Sequence, residues 1–150
     1  RAEARRSVWN RLPQALEENP LHVALADEVE RFNAVEAQQA IFNISGARRQ
    51  VPAVIQAALL RICQESLTNI RKYAEATQIS VNLTFGGDSV GISVVDNGTG
   101  FDPENVNIGD GQGGFGLTAM RQRARLLRGN IEIISAPGQG TRVEATIPIG

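Results

Sequence analysis

The chain has 150 residues, the length of one ordinary domain, with 42% hydrophobic residues, 21% charged residues and a net charge of −1. This balance excludes an overall positive field for nucleic acid, and no apolar run approaches the roughly 20 residues that a membrane-spanning helix needs. The single cysteine, Cys63, excludes a disulfide framework. We expect Cys63 to be a buried apolar side chain in a reducing, cytoplasmic setting.

The first segment, residues 1–17, is predicted to be separate from the rest. RAEARRSVWN has helical character but is too short and too polar to build a core alone, so we interpret it as the tail of an upstream helix. Pro13, Asn19 and Pro20 then mark a connection. The chain begins at Arg1 without a signal-peptide pattern, from which we expect a longer parent protein.

Residues 18–150 are predicted to form one domain. Apolar spacing of 3.6 residues predicts helices, alternation predicts strands, and glycine, proline and asparagine mark the turns between them. Pro52 suits the first turn of the longest helix. The predicted elements are helix 21–32, strand 38–45, helix 52–74, strands 77–85 and 90–94 around a Gly86-Gly87-Asp88 turn, a glycine-rich loop 97–116, helix 117–127, and strands 131–135 and 142–147.

This order of elements predicts an α/β two-layer sandwich, with a mixed and largely antiparallel sheet covered on one face by about three helices. It lacks the regular alternation of a dinucleotide-binding fold, so the glycines after residue 97 are not a dinucleotide fingerprint. GDGQGG also lacks the Lys-Ser/Thr ending of a phosphate-binding P-loop. On its own, the glycine cluster is equally compatible with a simple flexible loop.

A polar stripe follows the long helix. Glu65 and Asn69 are four residues apart, and Arg61 and Lys72 extend the same side. A stripe of this kind is usually a solvated helix flank. Combined with a glycine loop and a strand-end acid, Asp96, its carboxylate, amide and ammonium groups suit a magnesium-phosphate and predict a nucleotide pocket.

Four ordered motifs in the chain resemble those of a known superfamily. ESLTNIRKYA, DNGTGF, GGFGL and GQGTRVEATIP resemble the N box, G1 box, G2 box and final hairpin of the gyrase/histidine-kinase ATPases, over about residues 21–149. GLTAMRQRARLLRGNIEIISAPGQGT looks most like sensor histidine kinases of the nitrate-sensor type. The resemblance implies the Bergerat ATP-binding fold, with residues 1–17 as the tail of a dimerisation helix and its linker.

The resemblance implies an adenine site around the G1 box. Asp96 stands on the aspartate that accepts a hydrogen bond from the exocyclic amino group of adenine, a task that suits an acceptor-only carboxylate. Gly98 and Gly100 would let the backbone approach the base and sugar. Thr141 matches the threonine that supports the adenine aspartate through hydrogen bonding, although threonine is also common in strands.

A phosphate and magnesium site is implied by the other two boxes. Asn69 stands on the magnesium ligand, Glu65 on the residue that positions water or assists proton transfer, and Lys72 on a phosphate contact. Gly114 and Gly116 fall on the G2 box, where a mobile lid and a helix N-terminus meet the triphosphate.

The implied function is that of the catalytic ATP-binding domain of a two-component sensor histidine kinase. Its cofactors would be ATP and magnesium, and it would transfer the γ-phosphoryl group to a histidine on an upstream domain, for relay to a response regulator that binds DNA. The chain itself would contact neither nucleic acid nor membrane. His22, the only histidine, is expected to be an ordinary helix-start residue, and Tyr73 departs from the histidine usual after the N-box lysine.

Two alternatives remain open from the sequence. A serine protein kinase of the anti-sigma-factor type shares the ATP fold and needs no histidine domain, although the N-terminal stub argues against it. A degenerate nucleotide-binding module would lack phosphoryl transfer, although the intact Glu65, Asn69 and Asp96 weigh against that.

Overall fold

The computed structural model describes residues 13–36, 39–101 and 114–149, so the predicted helix tail within residues 1–12 lies outside the described residues. A π-helical turn, Ile70–Ala74, extends the longest helix. The other elements are α1 Gln14–Glu18, α2 Leu21–Val35, β1 Gln39–Ser45, α3 Ala53–Asn69, β2 Gln78–Phe85, β3 Ser89–Asp96, α4 Gly114–Leu126, β4 Asn130–Ser135 and β5 Thr141–Pro148.

The strands form one five-stranded sheet in the order β1-β2-β3-β5-β4. β1 and β2 are parallel because α3 lies between them and carries the chain back across the sheet. The remaining pairs are antiparallel: short turns join β2 to β3 and β4 to β5, and β5 also pairs with β3 across the sheet. The mixed, largely antiparallel sheet predicted from the sequence is therefore confirmed.

One face of the sheet is buried by helices and the other is polar. The side chains of β2, β3 and β5 alternate, so that Val81, Ile92 and Ala145 face the core. On the open face, Asn82 Nδ2 donates to Ser93 Oγ at 3.1 Å. Helix α2 contacts β1, α3 contacts β3 and α4 contacts β4, which confirms the predicted two-layer sandwich.

Helix α3 lies at the centre of the core, and its buried side chains cover more of its circumference than the single apolar stripe predicted from the sequence. Leu59, Leu60, Ile62 and Cys63 are fully buried, which confirms the prediction for Cys63. Desolvation, with a smaller contribution from the charge of Glu28, raises the pKa of the Cys63 thiol far above its usual range. The thiol therefore stays protonated and acts as a small core residue.

Two helix boundaries differ from prediction. The predicted connection before residue 20 contains the short helix α1, and its Leu16 joins the core. Helix α4 begins at Gly114, whereas the sequence predicted a loop through residue 116. Glycine has low helix propensity, but burial of Met120 and Ala124 holds the helix in place, so packing outweighs local preference.

Among the described residues, no helix is both long enough and apolar enough to cross a lipid bilayer.

Candidate functional site

Asp96 is the last residue of β3 and one of two buried polar side chains among the described residues, the other being Ser66. The carboxylate is only 6% exposed. It belongs to a row of residues paired across the sheet, since Ile79 on β2 pairs with Asp96, Asp96 pairs with Thr141 on β5, and Thr141 pairs with Ser135 on β4. Cross-strand partners share a face of the sheet, so this row lies at one end of the core.

Two opposing effects act on the Asp96 carboxyl. Burial raises its pKa above the ordinary value, because the charged form loses solvation. Hydrogen bonds from the backbone N–H groups of Gly98 and Thr141 lower the pKa and partly oppose this rise. The Gly98 N–H donates to Asp96 Oδ1 at 2.8 Å. The result is a carboxylate that backbone donors hold in a fixed orientation at the rim of the core.

Asn97 ties the loop after Asp96 to the start of β2. Its Oδ1 accepts the N–H groups of Thr77 and Gln78, each at 2.9 Å, and its Nδ2 donates to Thr77 Oγ1 at 3.0 Å. Thr77 closely follows the π-helical end of α3. Asn97 therefore links the Asp96 loop to the end of the helix that bears Asn69.

Close backbone contacts require glycine on both sides of this loop. Gly100 has a φ of +66°, and a Cβ there would collide with the Ala136 carbonyl. Gly140 has a φ of +74°, and a Cβ there would collide with the Asp96 carbonyl. The Gly138 N–H donates to the Thr99 carbonyl at 2.6 Å. The turn between β4 and β5 thus packs directly against the Asp96 loop, which explains Gly140 of GQGT, whereas Gly138 is favoured by its φ of +79° alone.

A hydroxyl of β4 joins these pieces. Ser135 Oγ accepts the Phe101 N–H at 2.8 Å and lies 2.9 Å from both the Gly140 carbonyl oxygen and Thr141 Oγ1. Sequence reasoning missed Ser135, Asn97 and Gly140. Asn97 and Gly140 fall inside motifs that were singled out, but the signal for Ser135 is only its cross-strand pairing with Thr141.

Glu65, Asn69 and Lys72 lie on α3 and its π-helical extension. Glu65 and Asn69 are half-buried and one helical turn apart, and Lys72 is exposed. Helix α3 contacts both β3 and α4, so it borders the strand that ends in Asp96. Within the described residues, no hydrogen bond joins these three side chains to Asp96. They occupy a neighbouring element and do not form one bonded cluster with it.

Arg61, the first residue of the predicted polar stripe, contacts α2 through Gln64. Arg61 donates to Gln64 Oε1 at 3.5 Å, and Gln64 Nε2 donates to Glu28 Oε1 of α2 at 2.9 Å. This chain of contacts places Arg61 at the junction of α2 and α3. The predicted alignment of Arg61, Glu65, Asn69 and Lys72 on one side of the helix stays a prediction.

The fit to magnesium depends on the chemistry of the donors. Within the described ranges, no group of three or more His, Cys, Asp and Glu side chains could hold a metal ion by itself. Asn69 and Glu65 offer hard oxygen atoms, and magnesium usually takes few protein ligands and completes its shell with water and substrate phosphates. The residues present therefore fit a magnesium ion that arrives with a phosphate ligand.

The remaining predicted site residues stand as follows. Gly114 and Gly116 form the first turn of α4, while residues 102–113 lie outside the described residues. His22 is the second residue of α2, as expected for a helix-start residue, and its Nε2 lies 3.3 Å from Arg48 Nη1. The side chain of Tyr73 is also outside the description.

Known proteins resemble the chain along its whole length. It is 31% identical over 148 residues to the signal transduction histidine-protein kinase/phosphatase DegS of Brevibacillus brevis, covering 99% of this chain and 37% of that protein. It is 34% identical over 152 residues to an uncharacterized sensor-like histidine kinase of Chloroflexus aurantiacus, covering 98% and 25%. It is 28% identical over 147 residues to the sensor histidine kinase LiaS of Bacillus subtilis, covering 98% and 39%. The chain thus spans less than half the length of these relatives.

Solved structures agree on the fold. The histidine kinase domain of the blue-light activated histidine kinase of Erythrobacter litoralis superposes with a TM-score of 0.66 at 24% identity, covering 87% of this chain and 61% of that one. The sequence profile described as histidine kinase-, DNA gyrase B-, and HSP90-like ATPase matches residues 55–150, which is more than half of the chain. The chain therefore belongs to the family of histidine kinase-, DNA gyrase B- and HSP90-like ATPases.

Proposed function

We propose that this chain is the ATP-binding catalytic domain of a two-component sensor histidine kinase, of the nitrate-sensor type. The observation that carries the proposal is Asp96, a buried carboxylate held at the end of β3 by two backbone donors. Family membership supports ATP as the ligand. All three relatives named above are described as histidine kinases, which favours this reading over a serine protein kinase.

Asp96 recognises the adenine base of the nucleotide. A carboxylate can only accept hydrogen bonds, so it matches the exocyclic amino group of adenine and repels the carbonyl oxygen of guanine. In a buried site an unpaired polar group is costly, which makes this discrimination strong. Gly98 and Gly100 bring the loop backbone close to the base and sugar.

Residues of α3, its π-helical extension and α4 bind the phosphates and their magnesium ion. Asn69 is the magnesium ligand, Glu65 orients water or assists proton transfer, and Lys72 contacts a phosphate. Bound magnesium would neutralise charge on the phosphate oxygens. Gly114 and Gly116 open α4, whose N-terminal amides favour an anion. The contribution of the chain to catalysis is positioning and charge complementarity.

The acceptor of the γ-phosphoryl group is a histidine on a dimerisation domain outside this sequence. The attacking imidazole nitrogen forms a bond to phosphorus as the bond to the ADP oxygen breaks, and ADP leaves. An aspartate of a response regulator, of the DNA-binding kind, then receives the group. We propose residues 18–150 as the catalytic domain and residues 1–17 as the end of the dimerisation helix with its linker.

The test is phosphoryl transfer in the parent polypeptide. The parent, with its histidine domain, is incubated with Mg-ATP labelled at the γ-position, beside a matched Asp96→Asn variant. We expect acid-labile label on histidine in the unmodified parent and a large loss in the variant. Absence of label from a folded parent that binds ATP would reject the kinase assignment and favour a module that binds nucleotide without transfer.

A further inference from the structure

The Ser135 hydroxyl has three hydrogen-bond partners at the nucleotide end of the sheet. The Phe101 N–H lies 2.8 Å from Ser135 Oγ, and the Gly140 carbonyl oxygen and Thr141 Oγ1 each lie 2.9 Å from it. These partners come from the loop after Asp96 and from the start of β5. Ser135 thus connects the two segments that border the Asp96 carboxylate.

The direction of each hydrogen bond follows from the protons available. A serine hydroxyl has one proton to donate and two lone pairs that accept. The Phe101 N–H can only donate, and the Gly140 carbonyl can only accept, so the Ser135 proton goes to Gly140. The remaining lone pair of Ser135 must then accept the hydroxyl proton of Thr141. This assignment satisfies all three positions of the Ser135 hydroxyl.

The polarity of Thr141 is fixed as a result. Its only hydroxyl proton points to Ser135, so Thr141 Oγ1 offers only lone pairs in other directions. The bond from Thr141 to Asp96 comes from the backbone N–H. Thr141 therefore supports Asp96 through its backbone N–H and not through its hydroxyl, because the hydroxyl proton is donated to Ser135.

We infer that Ser135 is a positioning residue that sets nucleotide specificity, by holding Thr141 as a hydrogen-bond acceptor beside Asp96. Thr141 and Asp96 are cross-strand partners on the same face of the sheet, so two acceptors stand side by side. Such a pair matches a ligand that presents an amino group and rejects one that presents a carbonyl oxygen. This inference rests on the proposed function, since it concerns the base bound at Asp96.

The test compares ADP and GDP binding to the chain by competition calorimetry. Removing the hydroxyl in Ser135→Ala frees the Thr141 proton, which can then turn toward a carbonyl oxygen. We expect the preference for ADP over GDP to fall by about fivefold, the size of one hydrogen bond. Thr141→Val removes the Thr141 hydroxyl itself. The double variant Ser135→Ala/Thr141→Val should therefore show the same preference as Thr141→Val alone, and this non-additivity marks a coupled pair.

A matched hydroxyl pair at the opposite end of the sheet serves as control. Ser45 Oγ and Thr84 Oγ1 lie 3.3 Å apart at the ends of β1 and β2. Ser45→Ala and Thr84→Val should leave the ADP preference unchanged. Ser135→Cys, which keeps the shape of the side chain but has a larger atom that forms only weak hydrogen bonds, should lower the preference in the same direction. It replaces the alanine variant if that variant fails to fold.

The outcomes separate the two levels of the proposal. If the unmodified chain binds ADP and GDP equally, the proposed function fails and the role of Ser135 fails with it. If the unmodified chain prefers ADP and Asp96→Asn abolishes the preference while Ser135→Ala keeps it, only the inference about Ser135 is overturned. An equal loss of ADP and GDP affinity in Ser135→Ala would also overturn it, because a merely structural role predicts that result.

Discussion

At the scale of single residues, Asp96 combines a stability cost with a proposed binding role. Its side chain is buried, and the desolvation that raises its pKa disfavours the charged form in the folded state. A raised pKa means that the protonated form supports folding below the ordinary value of 3.8, and that this support is lost as the pH rises through the folded value. At neutral pH, the ionised group therefore weakens the ligand-free domain.

The corresponding prediction concerns Asp96→Asn. At pH 7 the variant should unfold at a higher temperature than the unmodified chain when no nucleotide is present, since a neutral amide avoids the desolvation cost. The gain should shrink as the pH falls to about 3.8, where Asp96 itself is protonated. Thermal unfolding measured across this pH range checks the prediction, with the exposed Asp88→Asn as control. A gain that does not depend on pH would contradict it.

Arg128 gives a second prediction, based on backbone conformation. Its φ is +64°, in the left-handed region where a Cβ costs about 1–2 kcal/mol. Arg128→Gly should raise the free energy of unfolding by about 1 kcal/mol, after the entropy gained by the unfolded chain is subtracted. Urea denaturation measures this change. Arg125→Gly, inside α4, should instead lower stability by a similar amount, so a loss in both variants would contradict the conformational explanation.

Predictability differs from one residue to the next. Asp96 was recognisable from the sequence because it ends an alternating run and begins the DNGTGF motif. The role of Ser135 was not, since its partners Phe101 and Thr141 are 34 and 6 residues away, and their hydrogen bonds depend on strand register and loop path. The register between β4 and β5 would have suggested the contact with Thr141 but not the direction of its proton.

At the scale of elements, the end of α3 differs from a regular helix. The turn Ile70–Ala74 is π-helical, and such turns often occur at functional sites. Glu65 and Asn69 precede it and keep α-helical spacing, whereas Lys72 lies within it. The angular spacing from Asn69 to Lys72 therefore departs from the one that a helix pattern predicts.

Two neighbouring cations on this turn allow a matched test. Arg71 Nε lies 3.8 Å from Oε1 of Glu36, the residue that follows α2. Lys72 is instead proposed to contact a phosphate. Lys72→Ala should weaken the binding of ATP about threefold at low salt, because an exposed charge contributes modestly and is screened by salt. It should leave the binding of adenosine unchanged, because adenosine has no phosphate. Arg71→Ala should weaken neither ligand. Equal effects of the two substitutions on ATP affinity would contradict a specific phosphate contact by Lys72.

Element prediction succeeded where patterns were long. The alternation in 77–85 and 90–94 gave the β2–β3 hairpin, and the stripe from residue 52 gave α3. Helix α1 has only five residues, too few for a periodic signal. The start of α4 was hidden by glycines, which favour loops locally but are held helical by the packing of the residues that follow.

At the scale of the whole molecule, the sheet order places the site. Hairpins β2–β3 and β4–β5 were predictable, but either β4 or β5 could have paired with β3. The structure pairs β5 with β3, which puts Thr141 beside Asp96 and leaves β4 at the edge. This choice depends on tertiary packing, in which α4 contacts α3, β4 and β5, and no local pattern encodes it.

The most direct test of the central claim, adenine recognition by Asp96, is a calorimetric titration of the chain with ATP and with GTP, each with and without magnesium. The proposed function predicts binding of ATP in preference to GTP, stronger with magnesium, and loss of the preference in Asp96→Asn. Retention of the ATP preference in a folded Asp96→Asn variant would contradict the assignment of Asp96 as the residue that reads the base. Equal binding of ATP and GTP by the unmodified chain would contradict it as well.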